Sequence, residues 1–168
     1  LLLALQIFPM ILVLIPLFIF FVNLGLLNTR LSLIILYTAI CIPYPVWMFK
    51  AYFDSIGREL EEAAWIDGCS RPQAFARVVI PLTWPGVIAV AIFSFILCWN
   101  EFMMANLFLR KDELKTLPVA IRSFIAAETT NWGQMMAAAT IALIPVFILF
   151  VFFQRFMIAG YTEGGTKE

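Results

Sequence analysis

The chain has 168 residues, of which 63% are hydrophobic and 13% charged, with 17 Phe and a mean hydropathy of +0.96. A water-soluble domain of this length cannot hide so much apolar surface, so the composition predicts an integral membrane protein in contact with the lipid bilayer. Eleven basic residues balance eleven acidic ones and histidine is absent, which excludes a basic surface for nucleic acid, histidine ligands, and Ser-His or Cys-His catalysis.

The chain opens on Leu1 inside an apolar run, without an initiator Met, and is expected to be part of a longer protein. Residues 1–22 read as a first span, about 33 Å long at 1.5 Å per residue. A signal peptide is the competing reading, but the run is too long and lacks a charged flank and a small-residue cleavage site. Pro9 and Pro16 predict kinks that neighbours in a bundle must accommodate. A turn follows from Asn23 to Arg30, with Gly25 and Asn28 as breakers and Asn28 or Thr29 as the cap of the next helix. The second span covers residues 31–49 and ends in an interface belt of Tyr44, Trp47 and Lys50. Pro43-Tyr44-Pro45 should bend or loosen its last turns.

Residues 50–84 are the long polar interval and read as a hairpin of two short amphipathic helices. Arg58 to Asp67 holds good helix formers, with Leu60, Ala63 and Ala64 on a small apolar face and Glu59 and Glu62 on an acidic one. Gly68 stands where a left-handed C-terminal cap belongs. In the second helix Ser70 and Gln73 have capping-box spacing, Phe75, Val78 and Val79 form the apolar stripe, and Pro81 is expected to stop the helix. A solvated loop is the default reading of such a charged stretch.

The third span is placed at residues 85–109, beginning near Pro85-Gly86. Within it lies Trp99-Asn100-Glu101-Phe102. On a continuous helix Ser94, Cys98, Glu101 and Ala105 share one face within about 60° at 100° per residue. An acid at this depth must face protein or water. Ser94, Asn100 and Glu101 are therefore candidate residues of a solute pathway; otherwise they pin helix to helix, or Glu101 lies high enough to reach interfacial water. Residues 110–133 are polar and aromatic, with Pro118 as a breaker and a short helix expected around Val119–Ala127. The fourth span is expected at residues 134–153, where Gly133, Ala137, Ala138 and Ala142 permit close helix approach. The tail, residues 154–168, is Gly-rich. Cys41, Cys69 and Cys98 are odd in number and widely spaced, which predicts neither a disulfide framework nor a metal site. Charge does not orient the chain, with six basic residues on the side of the hairpin and tail and five on the other.

The spacing in the hairpin is specific: Glu62-Ala63-Ala64, three residues, Gly68, nine residues, Val78, one residue, Ile80-Pro81. It resembles the EAA loop of permease subunits of bacterial ABC importers, with Val78 in place of Ile and Ile80 in place of Leu. Ile15-Pro16-Leu17, Leu24 through Thr29, Trp99 through Phe102, Thr116-Leu117-Pro118, Asn131-Trp132-Gly133, Gln154-Arg155, Gly160, Gly164 and Lys167 extend the resemblance over essentially the whole chain. They are similar to the carbohydrate-uptake subclass, the maltose-transport-type inner-membrane permeases. Two departures stand out: Gly57 in place of a proline, and Gly165-Thr166-Lys167-Glu168 in the tail.

The resemblance implies an all-α polytopic bundle with four spans here out of a usual six, a cytoplasmic hairpin and C-terminus, and an inner-membrane location. It implies no ATP site, and no Gly-x-x-x-x-Gly-Lys-Ser/Thr occurs. The implied partners are a pair of ATP-binding cassette subunits, a second permease, an extracytoplasmic solute-binding protein and a carbohydrate; no cofactor or metal is implied. Glu62, Ala63, Ala64, Asp67 and Gly68 would couple to the ATPase: the alanines by close approach, Glu62 by its charge, Gly68 by the tight turn. Two other classes compete. An intramembrane enzyme would need a catalytic constellation, and the chain has no histidine and no paired acids deep in its spans. An ATP-independent channel or secondary transporter could use Glu101 as its coupling group.

Overall fold

The computed structural model describes residues 9–125 and 130–162, with side chains to Gln154. The first seven residues of the expected first span, the end of the Val119–Ala127 segment, and Gly164, Gly165, Thr166, Lys167 and Glu168 lie outside the described residues, as does Phe8. Among those described, the secondary structure is helical apart from one isolated bridge, Ile125 to Thr130.

The helices are α1 (Met10–Asn23), α2 (Arg30–Cys41), α3 (Pro43–Ser55), α4 (Arg58–Ile66), α5 (Arg71–Ala74), α6 (Ile80–Trp99), α7 (Met103–Phe108), α8 (Leu117–Arg122) and α9 (Trp132–Thr162). They fall into two compact units. One holds residues 1–43 and 96–148, the other residues 44–95 and 149–168. Two helices are long and apolar enough to cross a membrane, Arg71–Trp99 and Trp132–Gln154. A third passes when α2 and α3 are taken together across the break at Ile42, and Met10–Asn23 is a shorter apolar helix.

In the first unit, α1 ends in a Schellman motif. Gly25, at φ +67°, donates from its N–H to the carbonyl of Val22, and Leu26 donates to Phe21. Asn28 then adopts φ +58°, and Thr29 caps α2 by accepting from the Ser32 N–H at 3.2 Å. The turn is tied to the far end of α7, where Asn28 donates to the Phe108 carbonyl at 3.0 Å and its Oδ1 accepts from the Arg110 N–H at 2.6 Å. Phe108 is fully buried, with Phe18 and Phe21 edge-on to it at 5.8 and 5.3 Å between ring centroids. Such pairs contribute about 0.5–1.5 kcal/mol each beyond area burial, and in lipid that packing term matters more than water exclusion.

In the second unit, α4 also ends in a Schellman motif. Cys69 donates to the Ala64 carbonyl at 2.9 Å, Gly68 donates to Trp65 at 3.0 Å, and Gly68 has φ +87°. The expected left-handed cap is therefore present. Pro81, however, does not stop the following helix. Arg71 to Trp99 is one continuous run of 29 residues that carries both Pro81 and Pro85. The reason is the π turn at Phe75–Val79, where Ile80 donates to the carbonyl of Phe75. A turn widened to i→i−5 spares the proline ring its clash with the carbonyl four residues back. The hairpin's second arm and the apolar segment beyond it are thus one rod, without the expected start at Pro85-Gly86.

Gly86 is where α3 meets that rod. A Cβ built on it would lie 2.6–2.8 Å from Cγ, Cδ1 and Cδ2 of Tyr52, atoms at the root of the ring that cannot swing aside cheaply. Tyr44 and Phe93 pack nearby in the same unit at 5.4 Å. Gly86→Ala is expected to destabilise by about 1–3 kcal/mol through overpacking. A lowered Tm of the purified protein, partly restored by adding Tyr52→Ala, is the expected result; an unchanged Tm would show that the ring moves freely.

Candidate functional site

The hairpin and the break after α6 carry the residues that the sequence singles out. In the hairpin, Ser70 begins α5 and its N–H donates to Gln73 Oε1 at 2.9 Å, the reciprocal half of a capping box. Ala64 and Ala74 are buried where α4 meets α5, while Ala63 and Glu62 are exposed. Of the expected apolar face only Ala64 is covered. Leu60 is 47% and Ile66 86% exposed. Arg58, Glu61, Glu62, Trp65, Arg71 and Phe75 line a cleft of about 440 Å³, with the Arg71 guanidinium 5.3 Å from the centroid of the Trp65 ring. The cleft thus offers two guanidiniums, two carboxylates and two aromatic rings. Asp67 is exposed at the C-terminal end of α4, where a carboxylate faces the negative end of the helix dipole.

The stripe expected on a continuous third span is not formed. The helix ends at Trp99, and Glu101 and Phe102 are non-helical before α7 starts at Met103. Each residue of Trp99-Asn100-Glu101-Phe102 makes a contact of its own at the break. Trp99 Nε1 donates to the Ala142 carbonyl of α9 at 3.1 Å. Asn100 Nδ2 donates to the Ile96 carbonyl at 2.9 Å, serving the end of α6. Glu101 serves the start of α7: Oε1 accepts from the Met104 N–H at 2.8 Å and Oε2 from the Ala105 N–H at 3.1 Å. The same Oε2 accepts from the Tyr37 hydroxyl of α2 at 2.9 Å. Phe102 lies under Arg122, 5.6 Å from ring centroid to guanidinium carbon. Irregular backbone at membrane depth must find such partners. Ser94 is half-buried on α6 and falls in the second unit, so it is not part of this cluster.

Sequence reasoning passed over Tyr37, and it read Asn28 as a breaker or cap without its tie to Phe108 and Arg110. The available signals were a lone phenol inside an apolar run and an Asn in a turn that calls for positive φ. Beyond the break, Arg110 stacks on Phe18 at 5.5 Å and Asp112 pairs with Lys115, which holds that carboxyl below the usual range. Among the described residues, no three His, Cys, Asp or Glu side chains come together as metal ligands.

Residues 1–162 match the family described as "Binding-protein-dependent transport system inner membrane component". The chain belongs to that family. This inner membrane component is 40% identical over 167 residues to the sulfoquinovosyl glycerol transport system permease protein SmoH of Agrobacterium fabrum, covering 99% of the chain and 59% of the relative. It is 37% identical to the trehalose/maltose transport system permease protein MalG of Thermococcus litoralis, covering 98% and 60%. It therefore spans less than two thirds of the length of these relatives. Among solved structures it is similar to a bacterial ABC transporter involved in the import of the acidic polysaccharide alginate, at TM-score 0.54 and 25% identity, over 91% of this chain and 56% of that one. The all-helical architecture of an ABC transporter permease is thus shared.

Proposed function

We propose that the chain is part of a permease subunit that carries a sugar or related carbohydrate across the inner membrane, driven by ATP hydrolysis in separate cassette subunits. The observation that carries this reading is the hairpin. An amphipathic arm leaves Ile66 86% exposed beside a charged, aromatic cleft, in a chain whose relatives are named as permeases of sugar transport systems. A surface of that kind suits a protein partner: large apolar side chains supply contact area, and Glu62 offers its carboxylate to a guanidinium. Glu62, Ala63, Ala64, Asp67 and Gly68 form the coupling element in this reading, with Gly68 setting the turn and Ala63 allowing close approach. The hairpin and C-terminus face the cytoplasm, and four spans cross the membrane: the segment of α1, α2 with α3, α6 and α9. A second permease and a solute-binding protein complete the assembly.

Asn100 and Glu101 act in this proposal by holding the break that shapes the pathway, with Ser94 facing the solute. Glu101 already accepts three hydrogen bonds, so it does not offer the free carboxylate that an ATP-independent carrier would need. Affinity purification of the complete protein from its native membranes tests the reading. Co-elution of an ATP-binding subunit and a solute-binding protein loaded with a carbohydrate is expected, with uptake into vesicles that requires internal ATP. Uptake by the isolated subunit without ATP would overturn it.

A further inference from the structure

Next to the Tyr37–Glu101 contact, two thiols face one another. Cys41 follows Tyr37 by four residues on α2, and Cys98 precedes Glu101 by three at the end of α6. Within the first unit the hydroxyl–carboxylate pair and the thiol pair are thus successive rungs between α2 and the segment 98–101. The sulfur atoms are 3.1 Å apart, both thiols are free, and both residues are half-buried. Both belong to the same compact unit. A disulfide places its sulfurs about 2.05 Å apart, so closure asks for roughly 1 Å of movement, within reach of small side-chain rotations. Neither thiol takes part in the hydrogen bonds that hold the break, so their proximity is unexplained by the site described above.

We propose that Cys41 and Cys98 are an oxidation site that closes into a disulfide tying α2 to the last turn of α6. The pair lies in apolar helices, so its oxidant is an uncharged, lipid-permeant two-electron acceptor, and a diazene dicarboxamide represents that class. One thiolate adds across the N=N bond, forming an S–N bond. The second thiolate attacks that sulfur, forming the S–S bond as the S–N bond breaks. The nitrogen pair leaves as the hydrazine, carrying two electrons and the two protons of the thiols. A metal is the lesser reading, since no third ligand joins the thiols among the described residues. The inference rests on the approach of Cys41 on α2 to Cys98 in the last turn of α6, both in the first unit, and is independent of the transport reading.

The test uses the complete assembly in native membranes, treated with the diazene, then denatured and labelled with N-ethylmaleimide before digestion and mass analysis. The expected result is a cross-linked peptide joining the Cys41 and Cys98 segments, lighter by two hydrogens than the separate thiol peptides. Maleimide labelling of both residues is lost together and returns with dithiothreitol. Cys69→Ser is expected to leave the cross-link intact, and Cys41→Ser to leave Cys98 labelled. Persistent labelling of both thiols after treatment, or a link to Cys69 in place of the pair, overturns the proposal. Because labelling follows denaturation, a shielded but free thiol cannot pass for an oxidised one.

Discussion

Glu62→Lys is expected to leave the protein inserted and folded yet suppress solute-stimulated ATP hydrolysis by the assembled transporter by roughly 30-fold or more. The size follows from the cost of disrupting a desolvated charge pair at an interface, about 2–5 kcal/mol. Glu62 is exposed within α4 and makes no hydrogen bond that the hairpin depends on. Lysine is an equally good helix former, so the helix itself loses little. What changes is the cleft. Arg58 and Arg71 already line it, and a third cation would repel the guanidinium that Glu62 is proposed to receive. The measurement is ATPase activity in reconstituted vesicles with and without the loaded binding protein. Stimulation at the unaltered level would remove Glu62 from the coupling role while leaving the hairpin's fold untouched.

The second large effect is expected at Glu101. Replacing it with Ala strips the acceptor from the Met104 and Ala105 N–H groups and from the Tyr37 hydroxyl at once. A buried donor left unpaired costs about 1–3 kcal/mol, so the combined loss should be several kcal/mol where water cannot enter. Glu101→Gln keeps one carbonyl oxygen and should lose less, and Tyr37→Phe, which removes a donor and orphans nothing on the backbone, should lose least. Thermal unfolding of the purified protein is expected to rank the three in that order, with uptake falling in parallel. If Glu101→Gln alters uptake without lowering Tm, the carboxylate meets the solute directly. If Glu101→Ala unfolds at the unaltered temperature, it does not hold α7.

The hairpin was legible because its signals are local. A Gly at a helix end, a Ser three residues before a Gln, and helix formers between them act through neighbours in the chain, and the Schellman motif at Gly68 and the Ser70–Gln73 bond follow from them. The break at Trp99-Asn100-Glu101-Phe102 was not legible as a break. Hydropathy stays high on both sides, so a periodic reading carried one helix straight through. What reveals the interruption is the division of labour among the four residues, and that depends on Tyr37, Arg122 and Ala142, each far away in sequence. Pro81 misled in the opposite sense. A proline is a sound stop signal for an α-helix, but the rule assumes that the preceding turn is α. Nothing in Phe75-Ala76-Arg77-Val78-Val79 marks it as a π turn.

That π turn also fixes a phase. It admits one residue more than an α turn, so the face presented by Arg71–Ala74 and the face presented by α6 are not related by counting at a constant angle. Deleting any single residue between 75 and 79 would convert the turn to α geometry. The helix beyond would keep about the same face toward the hairpin, since the turn loses only its extra residue, but the Pro81 ring would return against the carbonyl four residues back, that of Arg77 or Ala76 according to the residue lost. The length of this five-residue stretch is therefore under tighter constraint than its composition: side chains there can be exchanged more freely than residues can be lost.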